Sequence, residues 1–145
     1  MPTFEYDLFS LRAPEGWADV TESLGIENCP ITLALPEGVG ALQLSVARYI
    51  RGETPDPTPR QLAEMLKEFG QSRSLGPPNQ VTMQAGRISK AAGSFSDDGD
   101  FVRVWYLTDG LHFAMVTYVC EMGCESLELD TCDQIVSSLK FAPRT

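Results

Sequence analysis

Two acidic turns placed nine residues apart constrain this chain more than any other feature. In GSFSDDGDFVRVWYLTDGLHFAMVTYVC, Gly93 to Cys120, each turn carries an Asp-Gly pair between runs of alternating apolar and β-branched residues. An Asp-Gly pair in that setting is a strong hairpin signal, because it suits a turn whose residues adopt positive φ. The pattern predicts three strands, roughly Gln80 to Phe95, Phe101 to Leu107 and Leu111 to Val119. They are joined in antiparallel order, which excludes a parallel βαβ repeat here.

The remaining chain supplies further strands and two helices. Phe4, Tyr6 and Leu8 alternate in a first strand, and Pro14, Glu15 and Gly16 turn the chain ahead of Trp17. Ile31 to Leu35 and Ala41 to Ile50 form a strand pair across a Pro and Gly turn. The proline-rich RGETPDPTP reads as a loop leading into a helix. There Thr58 serves as N-cap, Pro59 as first helical residue and Gln61 as the third capping-box position. Leu62, Met65, Leu66 and Phe69 make an apolar stripe, and Gly70 is placed to end the helix. DTCDQIVSSL repeats this grammar, with Thr131 as N-cap and Cys132, Ile135, Val136 and Leu139 on one stripe. Strands, helix, strands and helix without alternation define an α+β class: a central antiparallel sheet flanked by two main helices. At 145 residues, the chain is expected to form one domain over 1–145.

Charge narrows the partners. Twenty acidic against 11 basic residues give a net charge of −9, which repels nucleic-acid backbones and anionic membrane surfaces and favours a basic protein domain. No lysine or arginine lies between Arg103 and Lys140, while Asp109, Glu121, Glu125, Glu128, Asp130 and Asp133 do. MPTFEYDLFSLRAPEGW shows no basic region followed by an apolar run, so no signal peptide is expected in it, and no window approaches the roughly 18 apolar residues of a membrane-spanning helix. A cytoplasmic location with Cys29, Cys120, Cys124 and Cys132 reduced is the expectation.

Each candidate reactive feature has a plain structural explanation. His112, the single histidine, shares a strand face with Ala114, Val116 and Tyr118. Leu111, Phe113, Met115 and Val119 form the more apolar face, so His112 is expected to look away from the core. No nucleophile motif accompanies it. Cys120 and Cys124 have a pair spacing that zinc would permit, with Cys132 and His112 as candidate further ligands, but Cys132 lies on a helix's apolar stripe, where it acts as a small hydrophobe. The acids Asp97, Asp98 and Asp100 lack the glutamate and flanking helices of a calcium loop, and GVGALQ lacks the lysine of a phosphate loop. No catalytic residue, metal or cofactor is expected. Apolar residues on both faces of the strand holding Arg103 and Trp105 imply cover on both sides or a face kept for a partner.

FSLRAPEGWADVT, the helix PRQLAEMLKEF, the long hairpin VRVWYLTDGLHFAMVTYVC and the last helix CDQIVSSLKF together resemble the PsbP-like superfamily. That superfamily includes photosystem II extrinsic proteins, a Ran-binding import factor and Eag-type chaperones of type VI secretion. The resemblance implies a PsbP-like α/β/α sandwich and mostly non-enzymatic protein binding. Small acidic domains of this kind also resemble immunity proteins of bacterial polymorphic toxins. The expectation is an immunity protein that occludes a basic toxin through Asp97, Asp98, Asp100, Asp109 and Glu121, with Trp105 as aromatic anchor. A chaperone or adaptor for a type VI secretion effector is the alternative. An enzyme or metal protein using His112 or the cysteines comes third, and a free strand edge would also permit a homodimer.

Overall fold

The computed structural model describes residues 1–25, 27, 29–48 and 57–143. Strands β3 (Ala18–Asp19), β4 (Ile31–Ala34), β5 (Gly40–Arg48), β6 (Asn79–Gln84), β7 (Ser89–Asp97), β8 (Asp100–Thr108) and β9 (His112–Glu121) build one antiparallel sheet. Its order is β3-β4-β5-β9-β8-β7-β6. Helix α1 (Pro59–Ser72) lies on one face and α2 (Leu129–Ser137) on the other. A second small sheet, in the order β1-β2-β10, joins β1 (Thr3–Glu5) and β2 (Phe9–Arg12) to β10 (Lys140–Phe141). The architecture is the α+β sandwich expected, with this small sheet added. The segment expected as the loop RGETPDPTP falls mainly on residues 51–56, outside the described residues.

Strand β8 divides the interior into two cores. Phe101, Trp105 and Leu107 point into the larger one, with Leu42, Leu44, Val116 and Tyr118 from β5 and β9. Cys132, Ile135 and Val136 of α2 and Phe9, Leu11 and Trp17 close it. Val102, Val104 and Tyr106 point into the smaller core under Leu62 and Leu66 of α1. The sequence thus reads as apolar on both faces because both are covered.

Helix α1 starts where its capping signals predict. Thr58 Oγ1 accepts from the Gln61 amide at 3.2 Å, and Gln61 Oε1 accepts from the Thr58 amide at 2.8 Å. It does not stop at Gly70 but continues to Ser72. Gly70 instead permits close approach, since a Cβ there would run into the Gly76 carbonyl and the Phe95 ring. The other helix begins at Leu129, ahead of the expected cap Thr131, and Glu128 occupies its N-cap position. Two expected strands are each a hairpin: β1 turns into β2, and Gln80 to Phe95 divides into β6 and β7 across Ala85–Ile88.

Candidate protein-binding edge and cleft

The β7–β8 turn gathers an acidic edge. Asp98 and Gly99 both have positive φ, +48° and +90°, closing a two-residue turn between the paired Asp97 and Asp100. On the other side Asp100 pairs with Glu121 of β9, and the Met122 amide donates to the Gly99 carbonyl at 2.9 Å. Residues directly opposite in an antiparallel ladder share a face with Cβ atoms about 5 Å apart, and like charges in such pairs are destabilising. Asp97, Asp100 and Glu121 therefore form a three-strand row of carboxylates, with Asp98 at the tip, all exposed. Among the described residues, no cation reaches ion-pair distance of any of the four.

Beside this row lies a cleft of about 330 Å³. Helix α1 packs chiefly over β6 and β7, and among the described residues no helix covers the neighbouring half of that sheet face. Val102, Met115, Thr117 and Val119 floor the cleft; Phe69, Arg73 and Leu75 wall it, and Asp97 and Asp100 stand at its rim. The Arg73 guanidinium sits 4.5 Å from the centre of the Phe69 ring. An apolar floor with a carboxylate rim suits a protein segment carrying apolar and basic side chains together.

Two expected members of the contact surface do not join it. Asp109 lies at the far end of β8, nine residues from Asp100, or about 30 Å at the usual strand rise. Its Oδ1 accepts from the Leu111 and His112 amides at 2.9 and 2.7 Å, so it serves the β8–β9 turn. Trp105 is only 1% exposed, faces the larger core and donates from Nε1 to Asp133 Oδ1 at 3.0 Å. It anchors α2 rather than a partner. The missed feature is the cleft, whose walls come from the end of α1 and the residues just after it and whose floor comes from β8 and β9.

His112 also faces the opposite way from expectation. It is 1% exposed, and its companions Ala114, Val116 and Tyr118 belong to the larger core, while Phe113 and Met115 are only partly buried. The small sheet and α2, both on that side, decide which face is inner. His112 Nδ1 lies 3.1 Å from Asp109 Oδ2, and its ring stacks on Phe141 at 5.2 Å. Burial alone would raise the Asp109 pKa; the two turn amides and the imidazole outweigh it and hold the carboxyl below its ordinary range. Phe141 covers one face of the imidazole. Among the described residues, no group of three His, Cys, Asp or Glu side chains is placed to hold a metal ion. Burial first, then the nearby acids, push the Cys132 thiol well above its usual range.

The large antiparallel sheet between two helices is the PsbP-like fold. It is similar to cyanobacterial PsbP (CyanoP) from Synechocystis, with TM-score 0.62, 10% identity, and coverage of 92% of this chain and 86% of that one. A protein from Bacteroides thetaiotaomicron matches at TM-score 0.61 and 11% identity over 94% of this chain, which spans 46% of that longer protein. LpqN, involved in cell envelope biogenesis of Mycobacterium tuberculosis, matches at TM-score 0.54 and 16% identity over 93% of this chain and 83% of that one. No family model matches the chain, and no curated protein does. No helix among the described residues is long and apolar enough to cross a membrane.

Proposed function

We propose that this chain is a non-catalytic protein-binding domain that docks a basic protein domain on its acidic edge, and that it acts as an immunity protein occluding a bacterial toxin. The observation that carries the reading is the row Asp97, Asp100 and Glu121. A fold has no stability reason to stack three carboxylates across adjacent strands, whereas a basic partner would turn that repulsion into attraction. The net charge of −9 supports the same partner chemistry by steering its approach.

A tagged full-length chain, used as bait in lysate of its source cell, tests this at low and high ionic strength. The comparison bait is Asp97→Asn/Asp98→Asn/Asp100→Asn/Glu121→Gln. A basic protein captured at low salt, lost at high salt and lost by the neutralised bait is the expected result. That protein should inhibit growth when expressed alone and be harmless when co-expressed with this chain. Capture indifferent to salt and to neutralisation overturns the reading. The apolar cleft floor favours a second reading, a chaperone or adaptor for a type VI secretion effector. It predicts an apolar segment retained at high salt and released by Met115→Asp.

A further inference from the structure

We propose that a second copy of this chain docks on β6, so that the two large sheets join edge to edge in a two-fold dimer. The two ends of the sheet differ sharply. At one end β3 has only two residues, and its Asp19 carboxylate is engaged by Tyr6 and Thr21. Such a short, charged edge is guarded against pairing. At the other end β6 runs for six residues, all exposed, and among the described residues it pairs with β7 alone. Val81 and Met83 are 42% and 57% exposed.

Charge selects the occupant. Two copies at −9 each repel, yet the thirteen residues Ser74 to Gly86 contain no charged side chain, and β6 lies wholly within them. This edge lets a like-charged copy approach without placing carboxylate against carboxylate. The edge is also held in place from beneath. The register shifts between Asn79 and Thr82, Gln80 has φ +50°, and buried Arg103 donates to the Gln80 carbonyl at 2.9 Å and to Ser94 Oγ at 2.9 Å. A backbone already fixed loses less freedom on docking.

A two-fold axis through Thr82 pairs Val81, Thr82 and Met83 with the same residues of the second copy, and Gln80, at positive φ, stays outside the new ladder. Val81 then stands opposite the second copy's Met83, apolar on apolar, with both α1 helices on one side of a continuous sheet. Sedimentation equilibrium on the full chain reads the outcome. The expected result is a concentration-dependent dimer, weakened at least about tenfold by Val81→Asp/Met83→Asp, which sets like charges opposite, and kept by Val81→Lys/Met83→Asp, which sets opposite charges there. Hydrogen exchange on the unmodified chain gives a check independent of variants, since amides between Gln80 and Gln84 should exchange more slowly as concentration rises. A monomer at all concentrations, a dimer indifferent to both variants, equal dissociation by both, or exchange independent of concentration overturns the proposal.

Discussion

Tyr118 Oη donates to Glu128 Oε1 at 2.7 Å inside the larger core, joining the middle of the sheet to the start of α2. Glu128 Oε2 in turn accepts from the Val39 amide at 3.3 Å, so one buried carboxylate holds β9, α2 and the β4–β5 turn. Tyr118→Phe removes the phenol's support and leaves that carboxylate short of a partner. The expected cost is about 1–3 kcal/mol, read as a lowered midpoint in urea with an unchanged slope.

The acidic row trades stability for its field. Replacing Asp100 by lysine puts a cation between Asp97 and Glu121, its two ladder neighbours. Asp100→Lys is expected to stabilise the fold by about 0.5–1 kcal/mol while weakening capture of a basic partner. Thermal unfolding and the capture assay, run on the same preparation, check both halves.

Trp105 tests the corrected assignment. Trp105→Phe keeps most of the apolar volume but gives up the hydrogen bond to Asp133, and should cost about 1–3 kcal/mol. Capture of the partner should be unaffected in the folded variant, because the indole is inside. Loss of capture without loss of stability would restore Trp105 as a contact residue.

Acid should loosen the β8–β9 turn. Asp109 has its pKa lowered in the folded chain, so its contribution is present above the ordinary carboxylate value, near 3.9, and is lost as pH falls through the depressed folded value. Asp109→Asn should therefore be less stable than the natural chain near neutrality and show a shallower loss of stability in acid. Asp19, lowered by its hydrogen bonds with Thr21 and Tyr6 against the effect of burial, keeps some acid dependence in that variant. Urea midpoints measured across the acid range decide it.

The thiols should divide by burial. Cys29 and Cys124 are partly exposed, whereas Cys120 and Cys132 are buried with their pKa values raised, chiefly by desolvation. Under native, mildly alkaline conditions a thiol reagent should modify Cys29 and Cys124 quickly, leaving Cys120 and Cys132 until the chain unfolds.

Local grammar was legible in the sequence wherever neighbouring residues decide the structure. The capping box at Thr58, the helical stripe Cys132, Ile135 and Val136, and both Asp-Gly hairpins depend on residues a few positions apart, whereas Leu139, expected on that stripe, lies past the helix end at Ser137. The inner face of β9 was not legible, because Phe9, Leu11 and Trp17 decide it from about a hundred residues away. The separation of Asp109 from the other acids was available: two turns flanking one strand must lie at its opposite ends. The cleft had no sequence signal, since it depends on where α1 stops short of β9 and β5 in the packed fold.

Lys140 pairs with Ser10 and Phe141 with Phe9, so the small sheet joins segments about 130 residues apart. During synthesis Phe9 and Leu11 are made about 130 residues ahead of Phe141, and must wait for that length of chain before their covering strand exists. Such non-local pairing slows folding and prolongs the exposure of apolar side chains. Synthesis rate and chaperone supply should therefore govern the yield of this protein more than the intrinsic strength of its finished core.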